Sequence, residues 1–172
     1  MTPLVLTARV DQDTQDRWDA LRTKWFPPER LLVGAHLTLF HALPGEHLPR
    51  VLADLREVLP QPFTALAGAP YSLGGGVALR VESAELLALH RELRRRWAPW
   101  LTRQDGQPLR PHVTVQNKVS ADTARATLAA LTAEWRPRRV RAVHRGPCPP
   151  RPAQVVPHRH PEHLDPPRPP LG

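Results

Sequence analysis

Two short segments of this chain repeat one pattern: Ala35-His36-Leu37-Thr38-Leu39 and Pro111-His112-Val113-Thr114-Val115. Each reads apolar-His-apolar-Thr-apolar, which is strand periodicity. Side chains alternate faces along a strand, so His36 and Thr38 share one face while Ala35, Leu37 and Leu39 share the other. His112 and Thr114 stand in the same way against Pro111, Val113 and Val115. The chain must therefore build two strands that each bury one face and present an imidazole and a hydroxyl on the other. If the two strands face a common groove, two proton-transfer groups and two hydroxyl donors surround one small anion.

The elements around the two segments also repeat. Residues 4–10 read as a strand, 13–26 as a helix with Trp18, Leu21, Trp25 and Phe26 at helical spacing, and 35–43 as the first signature strand. Residues 76–82 read as a strand, 83–97 as a helix with Leu86, Leu89, Leu93 and Trp97 on one side, and 111–119 as the second signature strand. A further helix follows each, over 48–59 and over 121–135. Asp11 or Asp13, Ser83, and Ser120 or Asp122 are N-cap candidates, and Pro27, Pro60 and Pro99 lie at or beyond helix ends. Residues 63–73 and 76–82 form two strands joined by Gly74-Gly75-Gly76. That run lacks the Lys-Ser/Thr of a phosphate-binding loop and reads as a hairpin turn. A weak final strand covers 138–144. The order predicts an α+β fold: two pseudo-symmetric lobes of antiparallel-rich sheet with outer helices and a central cleft.

Residues 146–172 break with this pattern. They hold 10 of the 22 prolines and no aromatic residue. Such a segment buries too little apolar surface to offset its ordering entropy, and disorder is expected. The domain reading is thus 1–145 as the bilobed domain and 146–172 as a Pro/Arg/His-rich tail.

Charge is uneven. The chain carries a formal net charge of +8. The excess falls in residues 90–145, with 13 Lys/Arg against 4 Asp/Glu, whereas residues 1–89 hold 8 against 10. A basic half points to an anionic partner such as nucleic acid, or to a solvated basic surface. The single Cys148 excludes an internal disulfide framework and a cysteine-based zinc site. No apolar run reaches membrane-spanning length, and no signal sequence opens the chain. A cytoplasmic setting without membrane attachment is expected.

His36-Leu37-Thr38-Leu39 and His112-Val113-Thr114-Val115, with their separation and the repeated element order, resemble the 2H phosphoesterase superfamily. This is the group of 2′-5′ RNA ligases and RNA 2′,3′-cyclic phosphodiesterases. The resemblance covers about residues 3–145, and the run Pro111 to Lys118 is similar to the second motif of small bacterial members. It implies a bilobed α+β fold and metal-independent phosphodiester chemistry, with one histidine as base and the other as acid. His112 as base and His36 as acid is our own assignment, and the reverse order stays open on sequence. Family chains usually close with a further strand, often rich in aromatic residues, and the tail of this chain departs from that.

Imidazole suits both proton roles because its ordinary pKa near 6.5 keeps both forms accessible at neutral pH. Thr38 and Thr114 can donate to non-bridging phosphate oxygens. Secondary substrate-binding candidates are Phe40, which shares the parity of His36 and could stack on a base, Arg110, Lys118 on the parity of His112, and Tyr71. Arg94-Arg95-Arg96 reads as a solvated helix face. His158, His160 and His163 lie in a proline-rich tail without carboxylate or cysteine support in ligand geometry, so no metal site and no cofactor is assigned. The expected partners are RNA ends or nucleotide cyclic phosphates, with no obligate protein partner. A 2′-5′ ligase, a non-catalytic RNA- or nucleotide-binding module and a plain interaction domain remain open as alternatives.

Overall fold

The computed structural model describes residues 3–142 and 156–157. Strand β1 (Leu4–Ala8) leads through Asp11 into helix α1 (Gln12–Trp25). Asp11 caps that helix, its carboxylate accepting from the Thr14 amide and hydroxyl. Strand β2 (Leu37–Leu43) and helix α2 (Leu48–Val58) complete the first half. Strands β3 (Phe63–Ser72) and β4 (Val77–Glu82) form a hairpin closed by the Leu73 amide donating to the Gly76 carbonyl. Helix α3 (Ala84–Trp97) is capped by Ser83, strand β5 (His112–Gln116) follows, and helix α4 (Ala121–Glu134) is capped by Ser120. Strand β6 (Arg138–Ala142) ends the continuous part.

The two halves share one antiparallel sheet, in the order β6-β3-β4-β5-β2-β1, which does not close into a barrel. The join between halves is narrow: β2 and β5 pair at Leu37↔Val113. At the far ends the sheet curls. Val10, just past β1, bridges Ala142 of β6, and the Asp11 amide donates to the Arg141 carbonyl.

The tail expected to be disordered falls almost wholly outside the described residues. The part that is described, β7 (Val156–Pro157), pairs with β1 through Leu4↔Pro157 and Val5↔Val156.

One face of the sheet is the core. Leu37, Leu79 and Val113 stand on it and are almost fully buried. Helix α1 covers it at β5 and helix α4 at β3, and Trp18, Leu131 and Ala67 line a groove between the two helices. Helix α3 covers it at β2, with Phe40 stacked on His90 at 4.6 Å and edge-on to Trp97 at 5.0 Å. Helix α2 packs on α3, and Asp54 of α2 accepts from the Trp97 indole at 2.8 Å. No helix among those described covers the opposite face at β2 and β5.

Both signature strands depart from the predicted alternation, and in the same way. In β2 the register with β1 slips between Thr7↔Thr38 and Leu6↔Phe40, so that two residues, Leu39 and Phe40, oppose one. In β5 the register with β4 slips between Ala78↔Thr114 and Val77↔Gln116, so that Val115 and Gln116 do likewise. A bulge of this kind reverses the face taken by later residues and increases local twist. Each strand therefore carries its His and Thr outward and then turns two consecutive residues into the core.

Candidate active site

The four motif residues come together. Leu37 pairs with Val113 in an antiparallel ladder. By that register His36 stands opposite Thr114 and Thr38 opposite His112, all four on the face away from Leu37 and Val113. Each imidazole thus has a hydroxyl from the other strand directly across from it, as well as the one two positions along its own. His36 is exposed, and Thr38, His112 and Thr114 are half-buried.

Both rings are held the same way. His36 Nδ1 lies 2.9 Å from the Gly34 carbonyl and His112 Nδ1 lies 2.8 Å from the Arg110 carbonyl. A carbonyl only accepts, so Nδ1 carries the proton in both rings. In the neutral form this leaves the Nε2 lone pair of each available to a ligand; in the charged form Nε2 donates.

The approaches to the two histidines are anchored by neighbouring elements. In the first, α1 fixes the backbone: the Ala35 amide donates to Asp19 and the Ala35 carbonyl accepts from Gln15. A Cβ at Gly34 would press on the Asp19 carboxylate that holds the Ala35 amide. In the second, the Val81 amide donates to the Pro111 carbonyl at 2.9 Å.

The secondary candidates divide. Tyr71 lies beside the site, its ring edge-on to His112 with centroids 6.4 Å apart. Burial raises its phenol pKa against the opposing charges of Arg80 and Arg110, which places both guanidinium groups nearby. Arg110 also supplies the carbonyl that orients His112. Phe40 does not face the site. The bulge after Thr38 turns it into the core, where it is fully buried against His90 and Trp97. Lys118 likewise leaves the face of His112, because the bulge at Val115 breaks the parity. It sits in the turn after β5 with φ 59°, a left-handed conformation, and its amide donates to the Asn117 side chain.

Three further residues bear on the site and escaped the sequence reading. Arg80 pairs directly with His112 across β4 and β5. Its guanidinium carbon lies 5.4 Å above the Tyr71 ring. Arg22 of α1 is buried, and its Nη1 donates to the Thr114 carbonyl at 2.7 Å, which puts a positive charge directly behind the second motif. Asp105 is buried beside β2, where β2 and β5 part. Its carboxylate accepts from the amides of His41 and Ala42 at 2.8 and 2.9 Å and pairs with the His41 ring at 3.1 Å. Burial alone would raise this carboxyl, but those hydrogen bonds outweigh it and hold the pKa below its ordinary value. Arg80 had a legible signal, a charge alternating with Leu79 and Val81. Arg22 had a weaker one, a charge on the apolar stripe of its helix. Asp105 had none beyond a turn.

The groove between α1 and α4, about 670 Å³ in volume, opens on the core face of the sheet and is separate from the histidines. Among the described residues, no group of three His, Cys, Asp or Glu side chains is placed to hold a metal ion, and no helix is long and apolar enough to cross a membrane.

Residues 10–145 match the family pattern of the 2′-5′ RNA ligase superfamily. The chain belongs to that superfamily. It is the superfamily of 2H phosphoesterases, so the family and the α+β fold expected from the paired motifs both hold. Membership supports a phosphoesterase or ligase enzyme acting on RNA or nucleotides. No curated protein shows a significant match to the sequence.

Proposed function

We propose that this member opens 2′,3′-cyclic phosphates of RNA ends or small nucleotides by two-histidine acid–base catalysis without a metal. The observation that carries the reading is the matched pair of imidazoles on adjacent strands, each with Nδ1 tied to the carbonyl two residues back and, among the described residues, no hydrogen bond at Nε2.

A cyclic phosphate set between β2 and β5 would meet Nε2 of one histidine on the side of the attacking water and Nε2 of the other on the side of the leaving oxygen. We assign His112 as base and His36 as acid. His112 takes a proton from water, the water oxygen bonds to phosphorus, the bond from phosphorus to the 3′ oxygen breaks, and His36 protonates that oxygen. The product carries a 2′-phosphate. Thr38 and Thr114 donate to the non-bridging oxygens, and Arg22 behind Thr114 adds positive potential where negative charge accumulates. With a 5′-hydroxyl in place of water the same groups would form a 2′–5′ bond, a second reading favoured by the superfamily's ligase members.

The test is product analysis with adenosine 2′,3′-cyclic phosphate in the presence of a chelator. Release of adenosine 2′-phosphate, on a bell-shaped pH profile, is the expected result. The assignment of roles predicts that His112→Ala removes the acidic limb of that profile and His36→Ala the alkaline limb. Tight binding of the nucleotide with no turnover would instead make the chain a binding module.

A further inference from the structure

The sheet order places the residues beside the site in a row. His36 and Thr38 stand on or just before β2, His112 and Thr114 on β5, Arg80 on β4 and Tyr71 on β3. The reacting phosphate belongs between β2 and β5. Neighbouring strands are about 4.8 Å apart, so β4 is roughly 7 Å from that midline and β3 farther still. Arg80 could lean either way across the sheet. It leans outward, with its guanidinium over the Tyr71 ring. Tyr71 leans inward: it is cross-strand neighbour to Ala78, and Ala78 to Thr114. The small Ala78 lets the phenol ring lie over β4 until its edge meets His112. The ring thus fills the space between the outer cation and the imidazole and keeps Arg80 off the reacting centre.

Arg80 is exposed, and among the described residues it has no carboxylate within ion-pairing distance. That sets it apart from most of the helical arginines: Arg17, Arg50, Arg95, Arg96 and Arg125 all pair with acids. Stacking on an aromatic face restricts the guanidinium while leaving its N–H donors directed outward. Arg110 adds a second positive charge to the same side of the groove.

We propose that Arg80, whose guanidinium lies over the Tyr71 ring, is a specificity residue that holds a second phosphate of the substrate, one nucleotide step from the reacting one. The ligand class is an oligoribonucleotide end, in which an internucleotide phosphodiester accompanies the terminal cyclic phosphate. A mononucleotide cyclic phosphate fills the histidine site and leaves Arg80 unused. The inference rests on the phosphoesterase reading for the reacting phosphate, but the second contact is an equilibrium binding property and can be read without turnover.

The experiment compares adenosine 2′,3′-cyclic phosphate with the dinucleotide ApA 2′,3′-cyclic phosphate in wild type, Arg80→Ala and Arg80→Lys. It also measures binding of the corresponding 2′-phosphate products by calorimetry. Wild type should favour the dinucleotide. Arg80→Ala should raise KM and weaken product binding for the dinucleotide by about tenfold, the size of one charge-assisted hydrogen bond, and leave the mononucleotide within about twofold. Arg80→Lys should fall between, because it keeps the charge and loses the planar stack. Equal losses on both ligands, or no preference in wild type, would overturn the second phosphate site. Absence of turnover with the binding difference intact would overturn the catalytic reading alone. Failure of both products to bind would overturn both.

Discussion

Strands β2 and β5 carry the same chemistry in different surroundings. Each presents His and Thr, ties Nδ1 to the carbonyl two residues back, and then bulges to bury its next two residues. Beyond that the likeness stops. Behind β5 lies the buried Arg22, and beside it are Arg80, Arg110 and Tyr71. Behind β2 lies an aromatic core of Phe40, His90 and Trp97. The imidazole–hydroxyl pairs are duplicated, while positive charge is gathered beside one strand only. A symmetric pair can exchange protons with either side of a phosphorus centre. The charges beside β5 have no counterpart beside β2, and that asymmetry is what the proposed second phosphate contact uses.

The largest effect should come from the duplicated groups. His36→Ala and His112→Ala are each expected to lower turnover of a cyclic phosphate by about 10²- to 10⁴-fold with little change in melting temperature. Steady-state assays beside thermal denaturation check this, and undiminished hydrolysis after either change would break the equivalence of the strands. The residues turned inward by the two bulges should then differ in stability. Phe40→Ala removes a fully buried ring and is expected to cost about 3–5 kcal/mol. Gln116→Ala removes one amide that donates to Thr127, and is expected to cost about 1 kcal/mol. Denaturant titration of both variants measures the gap, and equal losses would mean the core behind β5 is as demanding as that behind β2.

The smallest effect concerns His90. Burial, helped by Arg94 and opposed by Asp105, holds its imidazole pKa below the ordinary value. The unfolded chain therefore takes up a proton at this position that the folded chain refuses. This contribution to stability is whole above about pH 6.5 and declines as pH falls toward the lowered folded value. Denaturation midpoints at neutral and mildly acidic pH should separate less in His90→Phe than in wild type.

Much of the architecture was legible because periodicity reports burial. The stripe Leu86, Leu89, Leu93 and Trp97 marked α3, and the alternation around His36 and His112 marked the strands and their outward faces. What alternation cannot register is a bulge, which inserts one residue without changing composition. Parity counted through Leu39 put Phe40 on the wrong face, and parity counted through Val115 did the same for Lys118. The side-by-side placement of the two motifs was inferred from their likeness, whereas the pairing itself depends on residues distant in sequence. Arg22, Arg80 and Asp105 reach the site through tertiary contacts, and a single sequence carries no record of those.

The Asp105 carboxylate spans the place where the two halves of the sheet separate. It occupies β2 amides that would otherwise invite another strand, and it belongs to the segment leading into β5. The segment before β5 is thereby fastened to the far half of β2, while the Leu37↔Val113 pair sets the two histidines side by side.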